Sequence, residues 1–181
     1  MTRTILCSRI GIALFLIGAA GCGRQPAAPI ESKPASDAGQ IGSRLPDFAV
    51  KDFDGQPVSS ADLHGKVVLI DFWATWCQPC RKEMPGYQTL SDRYGSQGFF
   101  VVGFKGTMMR DTEPPLVFAR ETGVHYPLAV ATPSITDAFG GIQGLPTTFL
   151  YDRGGILREK IIGFEYTPVV ETEIKSLLGS R

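Results

Sequence analysis

Two cysteines stand two residues apart in WATWCQPC, Trp73 to Cys80. A pair at this spacing can ligate a metal, staple a loop, or exchange electrons with another disulfide. A structural zinc site needs four ligands. The other cysteines are Cys7 and Cys22, near the N-terminus, and the two histidines, His64 and His125, lack metal-ligand spacing. No metal or other cofactor is expected, with a copper site of two thiols and one histidine as the metal alternative. A purely structural bridge over so short a loop would constrain little of the unfolded chain. Electron transfer therefore leads, provided the elements around the pair present it correctly.

VVLIDFW, Val67 to Trp73, is a continuous apolar run rich in β-branched residues, the pattern of a strand buried on both faces. After it, Met84, Tyr87, Leu90 and Tyr94 recur at helical spacing, predicting a helix from Cys77 to about Tyr94 with a kink at Pro85. Cys77 thus falls at a strand-to-helix junction, where free N–H groups and the positive end of the helix dipole favour a thiolate. Gln78 and Pro79 fill the first turn. Cys80 follows one turn on and is expected to be less exposed, so Cys77 attacks and Cys80 resolves.

Two acids accompany the pair. Asp71 interrupts the apolar strand, and a buried carboxylate without a partner has a raised pKa. Glu83 lies three residues after Cys80 on the same helical face, either as part of the site or as a solvated helix acid. Lys66, Arg81 and Lys82 read as surface charges, the latter two near enough to help hold a thiolate.

The rest of the chain supplies the frame. Leu45 to Lys66 carries short apolar segments around the turn dipeptide Asp54-Gly55, predicting an N-terminal β-hairpin. Further strands are expected at Gly98–Phe104, Tyr126–Val130, Thr147–Tyr151 and Ile156–Ile162, with a turn at Asp152–Gly155. Helices are expected at Glu113–Glu121, Ser134–Phe139 and Thr167–Leu178, the last capped by Thr167 with Pro168 at its first position. Strands alternating with helices, then a hairpin and a helix, mean an α/β fold with a mixed sheet.

The N-terminus reads as an export signal. Arg3 and Arg9 precede an apolar stretch, Ile10 to Ala20, too short to span a bilayer. AAGC, Ala19 to Cys22, resembles a bacterial lipobox, which makes Cys22 a lipidation site and residues 1–22 a lipoprotein-type signal; simple cleavage near Ala20 is the alternative. Residues 23–42 are rich in Pro, Ala and Ser and read as a flexible tether, leaving 43–181 as the domain. The formal charge is zero, and losing Arg3 and Arg9 would leave 16 basic against 18 acidic residues. No basic stripe points to nucleic acid. An exported protein works where disulfides persist.

VVLIDFWATWCQPCRKEMP, together with GLPTTFLYDRGG about sixty residues later, resembles the thioredoxin superfamily, specifically the TlpA/ResA-like thiol-disulfide oxidoreductases within the redoxin and AhpC-TSA-like group. The resemblance spans about residues 43–181 and implies a thioredoxin-like fold, a redox-active Cys77–Cys80 disulfide, and a cis bond before Pro146. It implies that the Leu145 backbone pairs with an extended substrate, that Trp76 forms an apolar rim, and that Asp71 and Glu83 serve the cysteines catalytically. Asp71 departs toward thioredoxin, since many TlpA/ResA relatives carry asparagine there. The family further implies client proteins with disulfides, apocytochrome c among them, and a membrane electron donor of the DsbD/CcdA type. Two other readings are a peroxiredoxin-like thiol peroxidase and a non-enzymatic client- or haem-binding chaperone. Peroxidatic cysteines usually follow a threonine by three residues, whereas Thr75 is two before Cys77.

Overall fold

In the computed structural model, which describes residues 37–106 and 113–179, the run Val67–Trp73 is a strand buried along its whole length. It is β3, at the centre of a five-stranded sheet ordered β5-β4-β3-β6-β7. The other members are β4 (Phe99–Gly106), β5 (Leu128–Ala131), β6 (Thr147–Tyr151) and β7 (Leu157–Ile162). β3 pairs in parallel with β4 and antiparallel with β6, so the sheet is mixed as expected. The hairpin is present as β1 (Ala49–Lys51) and β2 (Pro57–Ser59), joined across Asp54-Gly55.

Strand alternation divides the core into two layers. Val67, Leu69 and Trp73 face one way, onto α1 (Gln78–Tyr94), α2 (Pro115–Thr122) and α4 (Thr167–Gly179). Val68, Ile70 and Phe72 face the other, onto the hairpin and α3 (Pro133–Ala138), within a cluster of Phe104, Phe139 and Phe149. Asp71 shares the odd-numbered face and is therefore presented toward α1.

Several boundaries differ from those expected. β4 runs two residues further, to Gly106, and Gly98 precedes it in left-handed conformation rather than opening it. β5 begins at Leu128, because Tyr126 and Pro127 belong to the approach; the Pro127 carbonyl accepts from Gly103 N–H. Thr167 is not the cap of α4 but its first helical residue, since Val170 N–H reaches back to the Tyr166 carbonyl. Helix α1 runs on through Pro85.

The signal segment, Cys7, Cys22 and the tether up to residue 36 lie outside the described residues. Residues 37–42 form turns held to the domain, with Gly42 N–H donating to the Leu157 carbonyl.

Candidate active site

Cys77 and Cys80 form a disulfide, with Cα atoms 5.3 Å apart. Cys77 is the N-cap of α1, in extended conformation at φ −79° and ψ 99°, and the backbone N–H of Cys80 donates to its Sγ at 3.3 Å. That contact delivers the helix N-terminus to the sulfur, as the strand-to-helix junction predicts. Cys77 is 2% exposed and Cys80 is fully covered. The order of exposure is as expected, but the opening is narrower, because Trp76 and the apolar core enclose both residues on α1's inner side.

The antiparallel register of β6 brings the second motif to the same end of the sheet. Thr147 lies opposite Phe72, which places Pro146 level with the end of β3. The Leu145-Pro146 bond is cis. The Pro146 carbonyl accepts from Gly163 N–H, tying the loop to the end of β7. Leu145 makes no backbone hydrogen bond among the described residues. Beside it, Trp76, Phe72, Ile142 and Leu145 line a mainly apolar groove of about 430 Å³. Trp76 is half-buried at this rim, whereas Trp73 is entirely in the core, stacked 4.5 Å from Phe118.

Asp71 and Glu83 are both buried, and none of their four carboxylate oxygens has a hydrogen-bond partner of ordinary geometry. Burial pushes Asp71 up to about 8, offset in part by Thr148, its neighbour across the strand pair. Burial likewise pushes Glu83 up to about 9, with the Asp71 carboxylate adding to it and the Glu165 backbone and Tyr87 hydroxyl opposing it. Glu83 is therefore no solvated helix acid. Two aromatic hydroxyls close around the acids: Tyr87, 3.2 Å from the Thr148 Oγ1, and Tyr126, both with ionisation pushed upward by burial first and by these carboxylates next. Neither tyrosine was legible as a site residue. Tyr87 reads as helix core from its spacing, and the Tyr126 backbone is held by the Gln88 side chain, a contact between residues far apart in the chain.

In the disulfide form Arg81 is engaged away from the cysteines. Its guanidinium bonds Glu113 and Glu121 and lies over the Phe118 ring. Lys66 sits over Phe100. Among the described residues no cluster of His, Cys, Asp and Glu could hold a metal ion.

The AhpC/TSA family profile matches residues 41–160. The chain belongs to this family. Within it, the chain is 33% identical over 139 residues to the thiol-disulfide oxidoreductase ResA of Bacillus thuringiensis, covering 76% of this chain and 79% of that protein. It is also 33% identical over 125 residues to the thioredoxin-like protein YneN of Bacillus subtilis, covering 68% and 72%. Among solved structures, a thiol:disulfide interchange protein of the thioredoxin family from Chlorobium tepidum superposes with a TM-score of 0.69 at 34% identity, over 76% of this chain and 97% of that one. This AhpC/TSA-family protein is accordingly a thiol-disulfide oxidoreductase of the ResA-like kind, with a thioredoxin-like fold and Cys77–Cys80 as its redox disulfide.

Proposed function

We propose that this oxidoreductase is an exported, lipid-anchored reductant of client disulfides. The observation that supports the direction best is the burial of Asp71 and Glu83, one on the strand facing α1 and the other one turn from Cys80. Buried carboxyl groups in an apolar core disfavour a thiolate at Cys80. A strong oxidant of this class owes its power to a stabilised reduced form. Here the resolving thiol has no such stabilisation, so the pair gives up its electrons readily.

The Cys77 thiolate, favoured by the α1 N-terminus, attacks one sulfur of the client disulfide and expels the other as a thiolate. Cys80 then loses its proton to the Asp71–Glu83 acid pair, the carboxylate of whichever member is ionised accepting it. The Cys80 thiolate attacks Cys77 Sγ and expels the second client sulfur. The client gains two electrons and the pair returns to the disulfide. Two electrons must come back from outside the protein, which calls for a membrane donor of the DsbD/CcdA type. Leu145, whose backbone has no backbone partner among the described residues, is the edge on which an extended client segment pairs beside Pro146. Trp76 forms the apolar wall next to it.

Cys80→Ser is expected to accumulate a mixed disulfide between Cys77 and oxidised insulin on a non-reducing gel, while Cys77→Ser forms none. A Cys77→Ser variant that still reduced insulin at the parent rate would contradict the assignment.

Anchoring rests on the sequence around Cys22. The protein expressed in a Gram-negative host is expected to partition into detergent, and Cys22→Ala to remain in the aqueous phase. Equal partition of both would remove the anchor from this account.

A further inference from the structure

Arg81 stands four residues after Cys77, and its backbone N–H donates to the Cys77 carbonyl at 3.2 Å. Cys77 caps this turn in extended conformation, so Arg81 springs from the helix one turn past it. A guanidinium beside a cysteine lowers its pKa, and an Arg81 side chain without other partners is long enough to turn back toward the cap. The side chain is instead turned elsewhere. Nη1 donates to a Glu113 carboxylate oxygen and to the Thr75 carbonyl at 3.3 Å. Nη2 donates to Glu121 at 3.0 Å, and the guanidinium carbon lies 4.7 Å from the centre of the Phe118 ring. The two acids come from α2 and the residues just before it, so tertiary structure holds the cation in place.

We infer that Glu113 and Glu121 are positioning residues for the redox reaction: they hold the Arg81 guanidinium off Cys77 and so keep the Cys77 thiolate from being over-stabilised. Thr75 is two residues from Cys77, at most about 7 Å along the chain. A cation released from Thr75 and the two acids can cross that gap, which is within the ~8 Å screening length at physiological ionic strength. An over-stabilised thiolate would favour the dithiol over the disulfide and turn a reductant toward an oxidant. The inference rests on Cys77 being the attacking thiol.

The test is the pH dependence of iodoacetamide alkylation of the reduced full chain, with the modified cysteine located by mass spectrometry. Glu113→Gln/Glu121→Gln is expected to raise the Cys77 ionisation constant about tenfold, one pKa unit. The same double change in an Arg81→Met background is expected to move it no more than about twofold, because the cation that the acids restrain is gone. A shift below about twofold with Arg81 present would overturn the inference. So would a full shift with Arg81→Met, which would mean that the acids act by their own field. Alkylation at Cys80 in place of Cys77 would overturn the nucleophile assignment itself, a distinct result. If circular dichroism shows that the double variant does not fold, Glu121→Gln alone decides. Its side chain is 55% exposed, and it should give a shift of the same sign, about threefold; an unchanged constant would overturn the inference.

Discussion

Asp71 and Glu83 are mostly protonated in the oxidised protein near pH 7, because each is held well above the ordinary carboxylate range, and the small ionised fraction is what accepts the Cys80 proton. A carboxyl group with a raised pKa in the folded state binds its proton more tightly there than in the unfolded chain. Its contribution is fully present below the unfolded value near 4 and declines as pH rises through about 8 to 9. Stability to urea should thus fall from pH 5 to pH 8, by up to about 1.4 kcal/mol per pH unit for each group. Asp71→Asn/Glu83→Gln should flatten that dependence while lowering the rate at which the mixed disulfide resolves by on the order of a hundredfold. A urea midpoint that falls equally in parent and variant would show that other groups set it. Asp71 could be singled out from the sequence because an acid inside an apolar β-branched run has no bland surface explanation. Glu83 stayed an open choice from the residues alone, since a glutamate at i+3 from Cys80 fits a solvated face as well as a buried one, and only the family resemblance pointed it at the cysteines. Only the packing of α1 against the sheet decides between them.

At the scale of elements, α1 must sit close to α4 for the acids to be sealed from water. Gly86 permits this: a Cβ there would stand 2.0 Å from the Thr167 Oγ1 and 3.1 Å from its Cβ. Thr167 is β-branched at the start of α4 and has little rotamer freedom with which to move aside. Gly86→Ala should destabilise the protein by about 1–3 kcal/mol through overpacking, despite alanine's higher helix propensity. Adding Thr167→Ala should recover part of the loss. Thermal melts would check both, and an unchanged or raised melting temperature in Gly86→Ala would contradict this packing. The principal elements were legible where pattern and burial agree: β3 from its unbroken apolar run, α1 from the spacing of Met84, Tyr87, Leu90 and Tyr94, and β6 from TTFLY. Legibility failed where long-range contacts decide. Arg81 reads as a surface charge beside a cysteine, but its partners lie 32 and 40 residues downstream. β4 carries Lys105 into a buried position that an apolar pattern cannot announce.

At the scale of the whole molecule, the sheet topology assembles the site. β3 ends at the segment that leads to Cys77, antiparallel β6 begins at Pro146, and α1 carries Cys80 and Glu83 over the odd face where Asp71 lies. The cysteine pair thereby lies at one end of the sheet, with the groove of Trp76 and Leu145 beside it. Among the described residues no helix is long and apolar enough to cross a membrane. In this account, attachment comes from Cys22 and electrons from a membrane partner. The reductant role and the need for a membrane donor depend on the direction in which the pair drives electrons. The most direct measurement is the reduction potential of the Cys77–Cys80 couple, titrated against defined thiol-disulfide buffers with tryptophan fluorescence as the signal. A reductant of client disulfides should show a value near that of thioredoxin, about −270 mV. A value near about −120 mV would contradict it, making the protein an oxidant that donates its disulfide.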